Sequence, residues 1–314
     1  MVLISAVIVT YNNAEVLARS LDSVLQEDTS DVEVIVVDNN STDGSIDLWE
    51  LHRGALRWIR SSKNGGYSYA VNLGVAEARG QYVAVLNDDV ITSGRTLISL
   101  VESLRRREGV AMIAPRLTRP DGSTQWTCRE LPSLRGEIAD LLGLASVLPE
   151  GLGGYLLGPW GHKTSRAVEQ AAGAALVISK EDFVAAGGFD ENYPLYFEDV
   201  DFCRRVRALG ALYYDHEITM THVGEATASH FRARTTAAIA TGRYRYFVNN
   251  HSPAKAGAIR ILGLLRALSR AGVFGFRGAL LRRSQDRERS AAYVYAFRAL
   301  LGSPLDYDPL EGSR

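Results

Sequence analysis

Short apolar runs and longer amphipathic stretches take turns along the first 115 residues of this chain. Residues 3–9, 32–37, 82–86 and 110–115 are the apolar runs. They are continuous rather than alternating, and too short for ordinary helices. That is the pattern of strands buried on both faces. Between them, apolar residues recur at helical spacing. Val16, Leu17, Leu21, Val24 and Leu25 predict a helix from Ala14 to about Gln26, with Asn13 as its cap. Ser41 or Thr42 opens a second helix through Ile46, Leu48 and Leu51. Residues 67–78 make a third, closed by Gly80. Residues 94–107 make a fourth, and residues 57–60 a weaker strand. Strand and helix alternating through short links predict an α/β fold: an open, mostly parallel, Rossmann-like sheet flanked by helices.

Ligands of such sheets sit beyond the carboxyl ends of the strands. Here those ends carry Thr10-Tyr11-Asn12-Asn13, Asp38-Asn39-Asn40-Ser41 and Asn87-Asp88-Asp89. The first turn has no GxGxxG, which argues against a dinucleotide-dependent oxidoreductase. Tyr11 either stacks on a nucleobase or is a rim aromatic. Asp38 either accepts a base N–H or caps a helix. Two adjacent acids closing a buried strand are costly unless a cation or donors compensate them. A hard divalent metal that also holds phosphates would do so. The plainer alternative makes Asp88 a cap and leaves Asp89 solvated.

In the second half, Pro120-Asp121-Gly122-Ser123 is a turn signal suited to a hairpin. Residues 131–163, rich in Gly and Leu and holding Tyr155 and Trp160, are long for a link, as lids and binding loops are. Gly173, inside an apolar run, lets backbone approach a ligand closely. Glu198-Asp199-Val200-Asp201 opens a helix with Phe202, Val206 and Leu209 on one face. Three acids in a first turn suit the helix dipole. Alternatively one is a general base, its pKa raised by its neighbours. His222 follows strand-like residues 212–216 and 219–221, a place where a lone His is structural or a ligand. His230, Arg232 and Arg234 either touch phosphates or are a solvated helix start. Residues 231–249 read as a long helix broken by Pro253.

Beyond His251 the chain is basic, with Lys255, Arg260, Arg266, Arg270 and Arg277 set among Ile, Leu, Val and Phe. Such a helix lies on an anionic membrane or packs on the domain or on a second subunit of a homodimer. The net charge of −1 gives no reason to expect nucleic acid. Two cysteines without zinc or CxxC spacing point to a reducing cytoplasm. No signal-peptide pattern opens the chain, and no apolar run reaches the roughly 20 residues of a membrane span. The expected location is cytoplasmic, with peripheral contact at the inner face of the membrane left open.

Taken together, VTYNN, VVDNNSTDGS, NGGYSYAVNLG and VLNDD resemble the N-terminal half of the family-2 inverting glycosyltransferases, which have the GT-A fold. AAGAALVISKEDFVAAGGFDE, YFEDVDFCRRVRALG and THVGEATAS resemble the rhamnosyltransferase-like branch of that family. The resemblance spans about residues 5–249. It implies a GT-A domain over residues 1–250, with a nucleotide half to about 115 and an acceptor half to 250. Residues 251–314 are then a basic helical extension. It implies transfer of a sugar, L-rhamnose from dTDP-rhamnose by branch, to a hydroxyl of a glycan or lipid-linked saccharide in cell-wall or polysaccharide synthesis. UDP-sugar is the other donor kept in view.

By the same resemblance, Thr10, Tyr11, Asn12 and Asp38 hold base and ribose, and Asn64, Gly66 and Asn72 line the nucleotide side. Asn87-Asp88-Asp89 is a DxD-type motif whose first position is Asn. Asp89 is then a metal ligand, completed by His222, and Asp88 and Asn87 are nucleotide or sugar contacts. The metal is Mg²⁺ or Mn²⁺, with the His favouring Mn²⁺. Asp199 is the base. Glu198, Gly173 and Trp160 face the acceptor, and Asp201 braces the helix. Two rivals stand beside this reading: a polyprenyl-phosphate sugar synthase, and a catalytically silent relative.

Overall fold

The structure is a computed structural model that describes residues 2–26, 30–52, 54–224 and 232–310. Four strands lead: β1 (Ile4–Thr10), β2 (Val32–Asp38), β3 (Arg57–Arg60) and β4 (Tyr82–Asn87). Helices α1 (Ala14–Leu25), α2 (Asp47–Leu51) and α3 (Tyr67–Glu77) connect them. Then come β5 (Val90–Ile91), α4 (Gly94–Arg105), β6 (Val110–Thr118), β7 (Cys128–Arg129) and α5 (Leu134–Leu141). The second half adds β8 (Arg166–Val168), β9 (Gln170–Ala171), β10 (Ala175–Ser179), α6 (Lys180–Ala185), α7 (Glu198–Val206) and β11 (Ala211–His222). Helices α8 (Arg232–Asn250), α9 (Pro253–Leu280) and α10 (Ser284–Leu301) end the chain.

The main sheet has the order β3-β2-β1-β4-β10-β6-β11-β5, with β8 on the far side of β11. It is mostly parallel: β3, β2, β1 and β4 run one way, as do β6 and β11 as a pair. Strand β10 runs antiparallel between β4 and β6. The unbroken apolar runs have a plain cause. Val7, Val9, Ile35, Val37, Val83 and Val85 enter one core. Their neighbours Ile8, Val34, Val36, Ala84 and Leu86 enter another on the opposite face. Helices cover both faces, so both side-chain rows are apolar.

The strand expected in two pieces near residues 212–221 is the single twelve-residue β11, with its pairing irregular between Asp215 and Thr219. The turn at residues 120–123 closes a short hairpin, in which Thr118 bridges Thr124. The long segment 131–163 contains α5. Cys128 and Cys203 are free, buried thiols. Helices α8 and α9 do not hang free: Tyr246, Phe247, Ala256 and Ile259 share a third core with Tyr193, Phe197 and Val200 at the entry to α7. Among the described residues no helix is long and apolar enough to cross a membrane. His230 lies outside the described residues.

Candidate active site

Strand register sets the geometry of the site. Thr10 pairs with Asp38 across β1 and β2, and Val9 with Asn87 across β1 and β4. The carboxyl ends of three strands therefore stop in one row, facing a cleft of about 540 Å³. Tyr11, Asn39, Asn64, Gly66, Asn87 and Asp88 line one part of it. Gly173, Glu198, Asp199 and His222 line another. The cleft thus gathers residues from β1, β4, α7 and β11.

Asp88 is held by side chains of the first strand mouth. Thr10 Oγ1 donates to its Oδ2 at 2.8 Å and Asn13 Nδ2 to its Oδ1 at 3.0 Å. Burial pushes the Asp88 carboxyl up to about 7. The Thr10 bond opposes that rise, and the charge of Asp89 adds to it. Asp89 faces the other way. Its Oδ2 accepts the Gly224 amide at 3.0 Å, and its Oδ1 is 3.1 Å from His222 Nε2. That Oδ1 is buried without a hydrogen-bond donor.

Gln125 fixes the tautomer of the histidine. Its amide N donates to the His222 carbonyl at 2.8 Å, so its oxygen is the acceptor at 2.8 Å from His222 Nδ1. Nδ1 then carries the proton, and Nε2 presents a lone pair to a carboxylate oxygen. Two acceptors 3.1 Å apart repel unless a proton or a cation lies between or beside them. This donor set, one carboxylate and one imidazole, fits a divalent ion whose remaining ligands are phosphate and water oxygens. Among the described residues no three His, Cys, Asp or Glu side chains form a complete protein cage. A metal here is shared with its ligand.

The second acid pair opens α7. Tyr196 and Phe197 both take positive φ, 63° and 72°. Two such non-glycine residues in a row are strained, and strain of this kind gathers at working sites. They turn the chain so that Glu198 and Asp199 start the helix at the cleft wall. Asp199 Oδ2 accepts the Gly173 amide at 2.9 Å and Oδ1 the Val200 amide at 2.8 Å. A Cβ at Gly173 would sit 3.2 Å from Asp199 Cβ, tighter than almost all real contacts. Glycine is what lets that amide reach the acid. Glu198 is buried, and its Oε2 has no partner. Burial, then the Asp199 charge, holds Glu198 well above the usual carboxylate range. Burial also raises Asp199, against the two amides and the nearby Arg129. Asp201 binds Arg205 at 2.8 Å and stays within the helix.

On the nucleotide side, Asn39 Nδ2 donates to Asn64 Oδ1 at 2.9 Å, and Asn39 Oδ1 accepts the Gly65 amide at 3.0 Å. Gly66 has φ 90°, and a Cβ there would meet the Pro194 carbonyl at 2.5 Å. The loop before α7 therefore closes on this turn. Asp38 is buried. Its Oδ1 accepts the Ser41 amide at 2.8 Å, its Oδ2 has no hydrogen bond, and Arg60 is 3.8 Å away. Asn12 clamps the first two strand mouths, accepting the Thr42 amide at 2.7 Å, and lies outside the cleft lining.

Two expected contacts have other work. The Asn72 amide is spent on the Phe189 backbone, at 2.9 Å in each direction, so it anchors a turn instead of lining the nucleotide side. Trp160 stacks on His162 at 4.4 Å between centroids and meets Tyr214 edge-on at 5.2 Å. It belongs to the core beneath, and Tyr155 of the same segment lines the cleft in its place.

Sequence reasoning missed Gln125, Arg129, Asn39 and Tyr67. Tyr67 donates to the Gly173 carbonyl at 3.1 Å and senses the charge of both acid pairs, which adds to burial in raising its hydroxyl. Only Asn39 carried a signal, its place at the end of β2. Glu137, which also lines the cleft, anchors Arg243 at 2.8 Å and Arg266 at 3.0 Å.

Residues 5–151 match the family model described as glycosyl transferase family 2. The chain is 29% identical over 250 residues to N-acetylglucosaminyl-diphospho-decaprenol L-rhamnosyltransferase of Mycobacterium tuberculosis, a match covering 73% of this chain and 76% of the relative. It is 32% identical over 221 residues to the uncharacterized protein y4gI of Sinorhizobium fredii, covering 66% of this chain but 23% of that much longer relative. Mannosyltransferase PcManGT from Pyrobaculum calidifontis, solved with GDP-Man and Mn²⁺, superposes with a TM-score of 0.57 at 16% identity, covering 95% of this chain and 87% of that one. At that identity the likeness is one of fold.

Proposed function

We propose that the chain is a nucleotide-sugar glycosyltransferase, on the match of residues 5–151 to the glycosyl transferase family 2 model, and that it transfers L-rhamnose from dTDP-rhamnose, with inversion, to a hydroxyl of a glycan or lipid-linked saccharide. The observation that carries this reading is the pairing of two unlike acid sites on one cleft. Asp89 faces His222 Nε2, which Asn87 Nδ2 approaches at 3.5 Å, and Asp199 lines the cleft with each oxygen accepting a backbone amide. The rhamnosyl donor and the lipid-linked acceptor rest on the likeness to the mycobacterial relative.

Each residue then has a task. Tyr11, in the cleft lining, offers its face to the base, and Asp38 Oδ2, which has no hydrogen bond and lies 3.8 Å from Arg60, accepts the imide N–H of thymine or uracil. Asn39, Asn64 and Gly66 shape the wall beside the ribose. Asp89 and His222 would hold Mg²⁺ or Mn²⁺, which when bound would supply Lewis-acid stabilisation of the diphosphate leaving group. Asp88, tied to Thr10 and Asn13, braces that wall.

Asp199 accepts the proton of the acceptor hydroxyl as its oxygen bonds to the anomeric carbon. The bond from that carbon to the diphosphate oxygen breaks on the opposite face, which inverts the centre. A raised pKa gives Asp199 more basic strength than an ordinary carboxylate, and Glu198 beside it keeps the acceptor side polar. Residues 1–250 carry these groups, and the helices α9 and α10 that follow lead to Pro309 and Leu310, which return to line the cleft.

The test is transfer from dTDP-rhamnose to a short-chain, diphosphate-linked N-acetylglucosamine acceptor, with product configuration read by NMR. The expected result is metal-dependent transfer with inversion. Preference for a bare polyprenyl phosphate would make the protein a phosphate-sugar synthase instead. Undetectable nucleotide and metal binding would make it a silent relative.

A further inference from the structure

Helix α9 has an outer face that none of the described residues covers. Ile261, Leu265, Leu268, Phe276 and Leu280 are each between 50% and 69% exposed. They follow one another at four, three, eight and four residues, so they share one stripe of the helix. The opposite side, through Ala256, Ile259, Ala267 and Gly278, is buried. The stripe runs down to a turn holding Arg282 and Arg283, and residues 253–285 contain seven Lys or Arg and no acid.

A second apolar surface adjoins this one. Helix α5 lines the cleft with Gly136 and Glu137 while Ile138 and Leu142 face solvent, as do Val147 and Leu152 just after it. Arg266 fixes α9 to α5, at 3.0 Å from Glu137 and 2.8 Å from Asp140. The cleft wall and the uncovered stripe are therefore parts of one clamped pair of helices.

We propose that the exposed faces of α9 and α5 rest on an anionic phospholipid bilayer, with the stripe in the interfacial layer and Arg282 and Arg283 among the headgroups. Arg266 and Arg277 are spent on ion pairs with Glu137, Asp140 and Asp286, and exposed apolar side chains beside Arg282 and Arg283 are what such a surface accepts. The helix is too short of apolar length to span, so it lies flat. A second copy of the chain fits worse, since a two-fold interface would press this acid-free, cationic helix against itself. Resting on the reading of a lipid-linked acceptor, the arrangement keeps the lipid in the bilayer while its saccharide reaches the cleft beside Glu137.

The test is co-sedimentation of the full chain with phosphatidylcholine vesicles, with and without phosphatidylglycerol, at low and high salt. The proposal expects binding to the anionic vesicles that weakens with salt. R282Q/R283Q should lose roughly thirtyfold in affinity at low salt, and F276S/L280S roughly tenfold or more. All four positions are solvent-facing, so melting temperatures should stay near wild type. No binding to anionic vesicles, or binding untouched by both variants, overturns the proposal. A concentration-dependent dimer dispersed by F276S/L280S assigns the face to a second copy instead. The assay reads no turnover, so its failure and a failure of transfer are separate results.

Discussion

Asp88 and Asp89 end a strand, whereas Glu198 and Asp199 begin a helix. Asp88, Glu198 and Asp199 line the cleft, and burial disfavours charge on each of these three. The first pair is held mostly by side chains: Thr10 and Asn13 on Asp88, and His222, oriented by Gln125, on one oxygen of Asp89, whose other oxygen takes the Gly224 amide. The second pair is surrounded by backbone. Two amides hold Asp199, and one oxygen of Glu198 has nothing. Residue type therefore does not decide what an acid does. A carboxylate opposite an imidazole lone pair is prepared for a cation. A carboxylate pinned by amides beside an unpartnered acid is prepared for a proton.

The sharpest way to break this contrast is Asp199→Asn. It keeps the shape and one of the two amide contacts, since its single oxygen can accept only one of the Gly173 and Val200 N–H groups, and it cannot take a proton. Turnover should fall roughly a thousandfold, with metal-dependent nucleotide binding intact. Equal loss of binding would mean that the two pairs are one site. Next is His222→Ala, expected to weaken Mn²⁺ binding about a hundredfold, since half of the protein's donor set is gone. Manganese titration in the presence of dTDP reads it directly. Gln125→Ala removes only the group that sets the tautomer. About a tenfold loss of metal affinity is expected, and an unchanged affinity would detach Gln125 from the site.

The smallest effect concerns stability against pH. Glu198 and Asp199 stand above their unfolded values in the folded chain, so the folded form binds protons that the unfolded form releases. That contribution is whole below the ordinary carboxylate range and is lost as pH rises through the raised folded values. Without donor or metal, the melting temperature of wild type should drop across that window. Glu198→Gln should flatten the slope and melt roughly two to four degrees higher at neutral pH. An unchanged slope would show that the pair is solvated after all.

Much of this was legible because strands announce their ends. The runs closing in Thr10, Asp38 and Asn87 predicted three mouths, and parallel register puts them in one row. The helix opened by residues 198–201 was legible for the same reason, since a polar start precedes Phe202 and Val206 at helical spacing. Gln125, Arg129 and Glu137 were not. They sit in irregular chain, a two-residue strand or a short helix, and Gln125 and Glu137 have partners about a hundred residues away, His222 and Arg243. Local periodicity carries no trace of such contacts. Trp160 and Tyr155 show the limit from the other side. Composition flagged both aromatics, but only tertiary packing decides which one faces the cleft and which one fills the core. Asn72 is similar, since its sequence neighbours do not reveal that the Phe189 backbone claims its amide.

Calorimetric titration of dTDP into Asp199→Asn and Asp89→Ala, each with and without Mn²⁺, tests the division of labour between the two acid pairs most directly. Asp199→Asn should keep the manganese-dependent gain in affinity, and Asp89→Ala should lose it. A gain that survives in both variants, or vanishes in both, would contradict the assignment of cation to one pair and proton to the other.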